Sequence, residues 1–506
     1  KLEAELKNAN SNPNNLEAEE FYAVVADLKQ SIRSNYEEII MADLNLTVNK
    51  DIDNLLWKGI YYSQIEDFRK KARKYRRTPE KLSQMCACFC NFLDDTTTYY
   101  EYLYQRIRET YAHLQAEPGQ ARGAPRDGDS TKLACLLHRV MICLGDLARY
   151  RSMYDDGDRK ADWTQATMYY STARSLYPRG GNAHNQLAVL ATYQENDFEA
   201  VYHYFRSLAT IRPFMSAKEN LVPVFEKNRQ RYLTEVQSGK INLRDSKQMQ
   251  SVFKTSFIRL HGILYTRTDC EMFNSVSEQN REHLAALVRS GGLDADLILH
   301  MSLINIATVE FIQHPPGDRA ALDATQRDTL LALACQQVIR TFAELVDHST
   351  QLHGNAVLGP LSLTLHWLLG CSSMFLARDA GDLLECICKV ANSLEPLGEK
   401  VAKAEWANLV RLKEDVEVDG FVHCPGQAPC TGPHAGGHKD CTAEGPVAAQ
   451  ERARRFRTAV DWLVEERVLC YDAASATYSA PLQPFGPPRS RPPHKADADP
   501  IPPPSR

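Results

Sequence analysis

Residues 166–178 read ATMYYSTARSLYP, and residues 200–213 read AVYHYFRSLATIRP. The two stretches share small, aromatic and proline positions, at an offset of 34 residues for the first three and 35 for the proline. The matching positions are Ala166, Tyr170, Ala173 and Pro178 in the first copy and Ala200, Tyr204, Ser207 and Pro213 in the second. This period is typical of tetratricopeptide (TPR) helix pairs, in which small residues allow close packing and proline ends the unit. The repeat therefore predicts paired, stacked helices.

The rest of the chain carries the same helical periodicity, and runs that alternate apolar and polar residues are few. We therefore predict an all-α fold. The predicted helices cover residues 15–45, 49–75, 79–114, 131–155, 161–177, 181–194, 197–211, 215–238, 246–266, 269–289, 293–313, 323–348, 358–377, 379–394, 398–412 and 447–468. Three stretches rich in Gly or Pro are predicted to be irregular, namely 117–131, 417–445 and the Pro-rich tail 481–506.

The composition is that of an average globular protein. Of 506 residues, 43% are hydrophobic and 24% are charged, which excludes a collagen-like or multi-span membrane chain. Because the net charge is -5, any anion-binding surface must be local. The 14 cysteines lie mostly in apolar helical patterns and are predicted to be reduced core thiols. The apolar stretch 358–377 is predicted to be a buried helix, and no membrane contact is expected.

Two groups of cations are candidates for anion binding. Residues 69–77 read RKKARKYRR, with seven cations in nine residues at the end of a predicted helix. A phosphate or an acidic strip could lie across them, although a solvated helix end that complements the macrodipole is equally consistent with the pattern. Arg149 beside Tyr150 joins a planar guanidinium to a phenol donor, a pairing suited to a phosphate dianion.

The sequence gives little support for catalysis or metal binding. It contains no P-loop and no GxGxxG, GxSxG or HExxH motif, so we expect a binding protein without a cofactor, not an enzyme. One cluster has zinc-type ligands, but its spacing matches no closed structural pattern, and no metal site is assigned. Its members are His423, Cys424, Cys430, His434, His438 and Cys441.

Several sequence blocks, in this order, resemble the Smg/ever-shorter-telomeres family of nonsense-mediated mRNA decay adaptors. The blocks are CLGDLARY at 143–150, the two repeat segments, NQLAVLA at 185–191 and FEKNRQ at 225–230. The resemblance extends over about residues 45–425 and looks closest to the Smg-seven type, because no nuclease domain is evident. It implies a 14-3-3-like domain over 1–240 with TPR-like pairs at about 135–213, and a helical hairpin domain over 241–480.

The resemblance also implies a function. Members of the family recognise phosphorylated Ser/Thr-Gln segments of the up-frameshift RNA helicase and recruit mRNA decay or phosphatase factors. We therefore expect these partners, with a related Smg-type protein as a further partner in a heterodimer. The expected location is cytoplasmic, with shuttling to the nucleus or concentration in mRNA decay foci.

The family's phosphate-binding residues carry over only in part. In the family, an Arg on the Leu-Gly-Asp helix holds the phosphate, and it matches Arg149, with Tyr150 beside it. The family's pocket Lys falls on Tyr62 or Ser63, so one charge-assisted bond is expected to be missing.

Three further residues are implied as parts of the peptide site. Arg69 follows Tyr62 by two helical turns and Lys58 precedes it by one, so both are expected to supply the missing charge. Asn185 matches a position where such folds use an amide to clamp the backbone of the bound peptide.

Two other functions stay open on the sequence. One is a telomerase-associated or single-stranded nucleic-acid-binding member of the same family, with residues 69–77 following a phosphate backbone. The other is a helical scaffold that has lost phosphate binding, which the missing Lys permits. Strand binding should weaken steeply with salt, whereas binding in one pocket depends mainly on the phosphoryl group.

Overall fold

The computed structural model describes residues 18–114, 127–155, 161–237, 245–315, 323–347, 355–370, 380–394, 412–419, 421 and 445–481. Almost every element in these ranges is helical, which confirms the predicted all-α fold. The α-helices are α1 (Ala18–Ala42), α2 (Leu44–Asn49), α3 (Ile52–Leu56), α4 (Ser63–Tyr75), α5 (Pro79–Thr110), α6 (Asp127–Tyr154), α7 (Thr164–Leu176), α8 (Asn182–Tyr193), α9 (Asp197–Leu208), α10 (Ala217–Arg231), α11 (Ser246–Thr266), α12 (Phe273–Arg289), α13 (Ala295–Gln313), α14 (Ala324–Asp347), α15 (Asn355–Leu369), α16 (Ala380–Ser393), α17 (Lys413–Val418) and α18 (Gly445–Glu465).

Short irregular helices and one hairpin complete the described elements. Turns of π-helix cover Trp57–Tyr62 and Tyr232–Val236, and turns of 3-10 helix cover Ala112–Leu114 and Cys270–Met272. Strands β1 (Cys470–Asp472) and β2 (Thr477–Ser479) pair in antiparallel register, with Tyr471 opposite Tyr478.

The structure corrects several predicted bounds. α6 begins at Asp127, inside the stretch predicted to be irregular. The first predicted helix, 15–45, ends at Ala42 in α1, and the second, 49–75, divides into α3, a π-helical turn and α4. The hairpin was not predicted because its turn lacks the usual Asn-Gly signal. The Asp472 side chain accepts from the Ala474 amide at 3.0 Å instead, and Ala476 takes the left-handed conformation with φ 51°. The tail beyond 481, the His/Cys cluster and most of the predicted helix 398–412 lie outside the described residues.

The described chain packs into two compact units. The first comprises the described residues up to Pro178 together with Asn182–Leu190, and the second comprises Arg179–Gly181 and the described residues from Ala191 onward. The boundary between the two units falls within α8, between Leu190 and Ala191. The domain boundary near residue 240 does not coincide with this division and stays a prediction.

The two repeat copies have equivalent burial, as the pattern predicts. Ala166, Tyr170 and Ala173 on α7 are buried, and so are Ala200, Tyr204 and Ser207 on α9. In the first unit, α6 packs along α7, and a Cβ added at Gly145 would lie 2.3 Å from Cε1 of Tyr170. Glycine at this position therefore allows the Tyr170 ring to lie against the α6 backbone.

His138 is buried between α6 and α7. Its Nδ1 donates to the Ala173 carbonyl oxygen at 2.8 Å, and burial lowers the pKa of His138 from 6.5 to about 4. The folded protein thus holds this imidazole neutral at pH values where an exposed histidine is protonated.

The first unit is expected to lose stability as the pH falls from about 6.5 to about 4. Over that range the unfolded chain takes up a proton on His138 that the folded chain does not, which amounts to about 3 kcal/mol at the acid end. Urea unfolding monitored across this range in wild type and His138→Gln measures the effect. The variant should show the shallower pH dependence, and equal slopes would contradict a buried neutral imidazole.

In the second unit, the segment around α17 packs on α9. Nη2 of the buried Arg206 donates to the carbonyl oxygens of Glu417 at 2.6 Å and Asp419 at 3.0 Å, and its guanidinium lies 4.9 Å from the centre of the Phe421 ring. The Tyr202 hydroxyl donates to the Glu417 carboxylate. The first residues of the loop predicted at 417–445 are therefore helical and packed, while 422–444 lie outside the described residues.

Two described helices, α13 and α14, are long and apolar enough to cross a membrane. In α13, 83% of the apolar window is buried inside the structure, and in α14 the share is 61%. Such burial is typical of core helices, and one or two helices of this kind are weak support for a membrane span. The described part of the predicted buried helix 358–377 forms the end of α15, where Leu365 and Trp367 are buried.

The cysteines in the described residues are free thiols, but Cys88, Cys270 and Cys470 are exposed, so the prediction of core thiols is wrong for these three. Cys335, Cys386 and Cys388 are buried, and burial raises the pKa of Cys335 to about 12 and of the other two to about 11. Such thiols are poor nucleophiles and metal ligands. No group of three or more potential metal ligands occurs in the part of the chain that the structure describes.

Candidate functional site

Two of the predicted cations meet in the first unit at the ring of one tyrosine. Tyr150 lies on α6 and is buried. The guanidinium of Arg149 lies 4.4 Å from the centre of its ring, and that of Arg69, on α4, lies 5.4 Å from it. Contacts of this kind are cation–π interactions, which fix a guanidinium without consuming its hydrogen-bond donors. The structure thus brings Arg69, Arg149 and Tyr150 together.

Arg149 is held by α7 as well as by its own helix. Its Nη2 lies 3.0 Å from Oδ1 of Asp146, one turn earlier, and its Nε donates to the Tyr170 hydroxyl at 3.3 Å. That hydroxyl in turn donates to Oδ1 of Asp146 at 2.6 Å. Arg149, Asp146 and Tyr170 therefore form a closed triangle of hydrogen bonds that fixes the direction of the guanidinium.

The side chains of this triangle change one another's pKa. Burial opposes the charge on Arg149, but Asp146 and Tyr170 outweigh it and raise the pKa of the guanidinium well above its ordinary value. Burial and then the Asp146 charge raise the pKa of the Tyr170 hydroxyl. At neutral pH, Arg149 is thus a cation and Tyr170 a neutral donor.

Arg69 is also paired with a carboxylate, but closer to solvent. It contacts Glu66 one turn earlier on α4, and the two side chains are 30% and 27% exposed. Burial opposes its charge, yet Tyr150 and Glu66 raise the pKa of Arg69. Two guanidinium charges are therefore balanced by two carboxylates, Glu66 and Asp146, and a bound anion would have to compete with them.

Tyr62 is, with Ser63, one of the two positions where the family's lysine is expected. It is 36% exposed at the end of the π-helical turn, and its hydroxyl interacts electrostatically with Tyr150 and Glu66. Burial and these neighbours raise the pKa of Tyr62. The position therefore does face the candidate site, and it supplies a neutral phenol in place of a cation.

The two remaining predicted residues are Lys58 and Asn185. Lys58 is exposed on the π-helical turn and forms no ion pair with any described carboxylate. Asn185 on α8 is buried and engaged within the protein. The roles of Lys58 and Asn185 in peptide binding stay predictions.

Three residues of the cluster were missed from the sequence. Asp146 and Glu66 each precede their arginine by three residues, a helical spacing that indicates ion pairing and could have identified them. Tyr170 carried no such signal, because it was assigned only as a packing residue of the repeat. The structure buries Arg149 against α7, with 10% of its side chain exposed.

Comparisons with known proteins agree with this architecture. Residues 166–427 match the family model of the Est1 DNA/RNA binding domain, and residues 51–155 match that of the telomerase activating protein Est1. A solved structure of Est1 and Cdc13 resembles this chain with a TM-score of 0.70 at 12% identity, covering 95% of this chain and 99% of that chain. At that identity the likeness concerns the fold.

Curated relatives include a nonsense-mediated mRNA decay factor and a telomerase-binding protein. The chain is 33% identical over 319 residues to the nonsense-mediated mRNA decay factor SMG7 of Arabidopsis thaliana, covering 52% of this chain and 30% of that protein. It is 29% identical over 208 residues to the telomerase-binding protein EST1A of Danio rerio, covering 40% of this chain and 13% of that protein. The chain thus spans less than a third of the length of either relative.

Proposed function

Because the chain belongs to the Smg/ever-shorter-telomeres (Est1) family, we propose that it is a phosphopeptide-binding adaptor in nonsense-mediated mRNA decay. Its ligand is a phosphorylated Ser/Thr-Gln segment of the up-frameshift RNA helicase. The adaptor recruits mRNA decay or phosphatase factors and pairs with a related Smg-type protein, in the cytoplasm, with shuttling to the nucleus or presence in decay foci. The similarity to SMG7, which is named a nonsense-mediated mRNA decay factor, supports the assignment of this chain to that pathway.

The observation that carries the proposal is the convergence of Arg69 and Arg149 on the Tyr150 ring. A phosphoryl group presents three acceptor oxygens and nearly two negative charges, and guanidinium forks match that geometry. Because Tyr150 and Tyr170 orient Arg149, little ordering entropy remains to be lost on binding. The cluster is thus suited to a single dianion.

Binding requires the phosphate to replace a carboxylate partner. Of the two, Glu66 is the easier to displace, since its ion pair with Arg69 is more exposed than the Asp146–Arg149 pair. A dianion gains more from the two guanidiniums than a single carboxylate does, so exchange at Arg69 is favourable. Arg149 keeps Asp146 and presents its remaining donors.

The substitution Arg69→Gln is expected to weaken binding of a phospho-Ser-Gln peptide with uncharged flanks at least about tenfold, because one charge-assisted bond is lost. Fluorescence anisotropy with the phosphorylated and unphosphorylated peptides measures the effect. Arg73→Gln, which removes an equal charge one turn further along α4, is the matched control and should bind like wild type. Equal binding of the two peptides to the wild type would refute the proposed function.

The substitution Glu66→Gln should have the opposite effect. It removes the carboxylate that competes for Arg69, so the phosphopeptide should bind about threefold or more tightly. The same anisotropy titration measures this, with Asp67→Asn as a control that removes a neighbouring, exposed carboxylate. Weaker binding to Glu66→Gln would show that Glu66 positions Arg69 and does not compete with the ligand.

The alternative function is that of a telomerase-associated or single-stranded nucleic-acid-binding protein. The similarity to EST1A, a telomerase-binding protein by name, and the name of the family model over 166–427 support it. Under this alternative, an oligonucleotide should bind with a steep dependence on salt. The convergence of two arginines on one tyrosine favours the phosphopeptide, because it suits a single dianion.

A further inference from the structure

A strongly basic surface begins next to the candidate phosphate site and continues along α4. Six cations follow Arg69, and all six are exposed. They are Lys70, Lys71, Arg73, Lys74, Arg76 and Arg77. Among the described residues, only Lys70 has a carboxylate within ion-pair distance, Asp67 at 3.5 Å. The surface therefore carries positive charge that the described part of the protein does not neutralise.

This arrangement is unfavourable without a partner. Like charges three and four residues apart repel one another along a helix. The helix macrodipole stabilises cations only in the last turn, where Arg73 and Lys74 lie. The same helix with fewer cations would have less charge repulsion. The high density of positive charge therefore indicates an anionic ligand.

One line of this surface leads directly away from the phosphate site. Arg73 and Arg76 follow Arg69 by four and seven residues, so their side chains leave the helix on the same side. Arg76 keeps helical backbone angles, with φ -51° and ψ -28°. Since Arg69 faces Tyr150, the line starts at the site and extends about 10 Å from it.

We propose that Arg73 and Arg76 bind acidic or phosphorylated side chains on one flank of the phosphoserine. The proposal rests on the proposed function and specifies its ligand. A line of about 10 Å matches about three residues of extended peptide. It is short for single-stranded nucleic acid, whose sites span several nucleotides or more.

The line has a direction, and this gives the sharpest test. Because it leaves Arg69 at one end only, acidic residues on one side of the phosphoserine reach it and those on the other side do not. Four peptides test this on the full chain. The first is a phospho-Ser-Gln peptide with neutral flanks, the second carries three glutamates before the phosphoserine, and the third carries three glutamates after the glutamine. The fourth is the unphosphorylated form of the acidic peptide that binds more tightly.

In wild type, one acidic flank is expected to tighten binding about tenfold at about 50 mM salt, and less at about 300 mM. The double variant Arg73→Gln/Arg76→Gln should reduce this gain to less than about twofold while binding the neutral phosphopeptide normally. The matched double variant Lys71→Gln/Lys74→Gln removes two charges from the other side of α4 and should keep the gain. Circular dichroism confirms that both variants are folded.

Three results would overturn the proposal: an equal gain from both flanks, a gain that survives in the arginine double variant, or equal loss of the gain in the two double variants. Stronger binding of a thymidine oligonucleotide than of the acidic phosphopeptide, lost in both double variants, would assign the surface to nucleic acid and overturn the proposal too.

Failure of the neutral phosphopeptide to bind would instead refute the proposed function. In that case, the unphosphorylated acidic peptide would still support an acidic ligand for Arg73 and Arg76, if its binding depends on these two arginines.

Discussion

The substitution Gly181→Ala is expected to destabilise the second unit by at least about 3 kcal/mol. An added Cβ would lie 2.2 Å from the carbonyl oxygen of Ser207 and 2.7 Å from the amide nitrogen of Phe214. Both are backbone atoms, so no side chain can rotate away to relieve the clash. The Gly181 amide donates to the Arg212 carbonyl at 3.0 Å, and its carbonyl accepts from the Ser207 hydroxyl at 2.7 Å. Separating these segments would break both bonds.

The matched control is Gly381→Ala, near the start of α16 in the same unit. A Cβ added there meets nothing within 4 Å, so alanine should leave stability unchanged or raise it slightly. Urea unfolding of wild type and the two variants compares them. If Gly181→Ala unfolded at the wild-type midpoint, the close approach of 181 to 207 would not exist in solution.

The substitution Arg149→Gln is expected to abolish measurable binding of the phosphopeptide, with a loss of about 100-fold or more. It should also destabilise the first unit by about 2–3 kcal/mol, because Asp146 keeps the Tyr170 hydroxyl but loses its buried counter-ion. The two effects have separate measurements, namely peptide anisotropy at low temperature on folded protein and denaturant unfolding.

Arg149→Lys separates charge from geometry. A lysine keeps the cation near Asp146 but lacks the planar fork, so most of the stability should return while peptide affinity stays low. Arg151→Gln, two residues on, removes a more exposed arginine that pairs with Asp94 at 3.0 Å and should change neither property much. Wild-type affinity in folded Arg149→Gln would exclude Arg149 from the binding site.

Much of the fold follows from local patterns. The 246–266 prediction coincides with α11, because its apolar periodicity is regular and Asp245 caps its first turn, accepting from the Lys247 amide at 3.0 Å. The small and aromatic positions that define the repeat are buried on both α7 and α9. The hairpin and the packing of Phe421 near Thr210 were not predictable, because they depend on contacts between distant parts of the chain.

The sequence analysis predicted the cations of the candidate site but not the carboxylates that balance their charge. Residue types and spacing pointed to Arg149 and Arg69, and the structure places both against Tyr150. The three-residue spacing of Glu66 and Asp146 before their arginines indicates ion pairing, but it was not used. The part played by Tyr170 depends on packing between α6 and α7, which a linear pattern does not specify. The sequence therefore predicted the cations of the site, and the structure adds the carboxylates that balance them.

The anchoring of Arg206 has a consequence for the order of events during synthesis. Its hydrogen-bond acceptors lie 211 and 213 residues further along the chain. At about 5–20 residues per second, a ribosome needs about 10–40 s to add them after Arg206 emerges. Until then this cation and its surrounding apolar surface on α9 stay uncovered, so chains whose translation stops before residue 417 should be preferred substrates for chaperones and proteases.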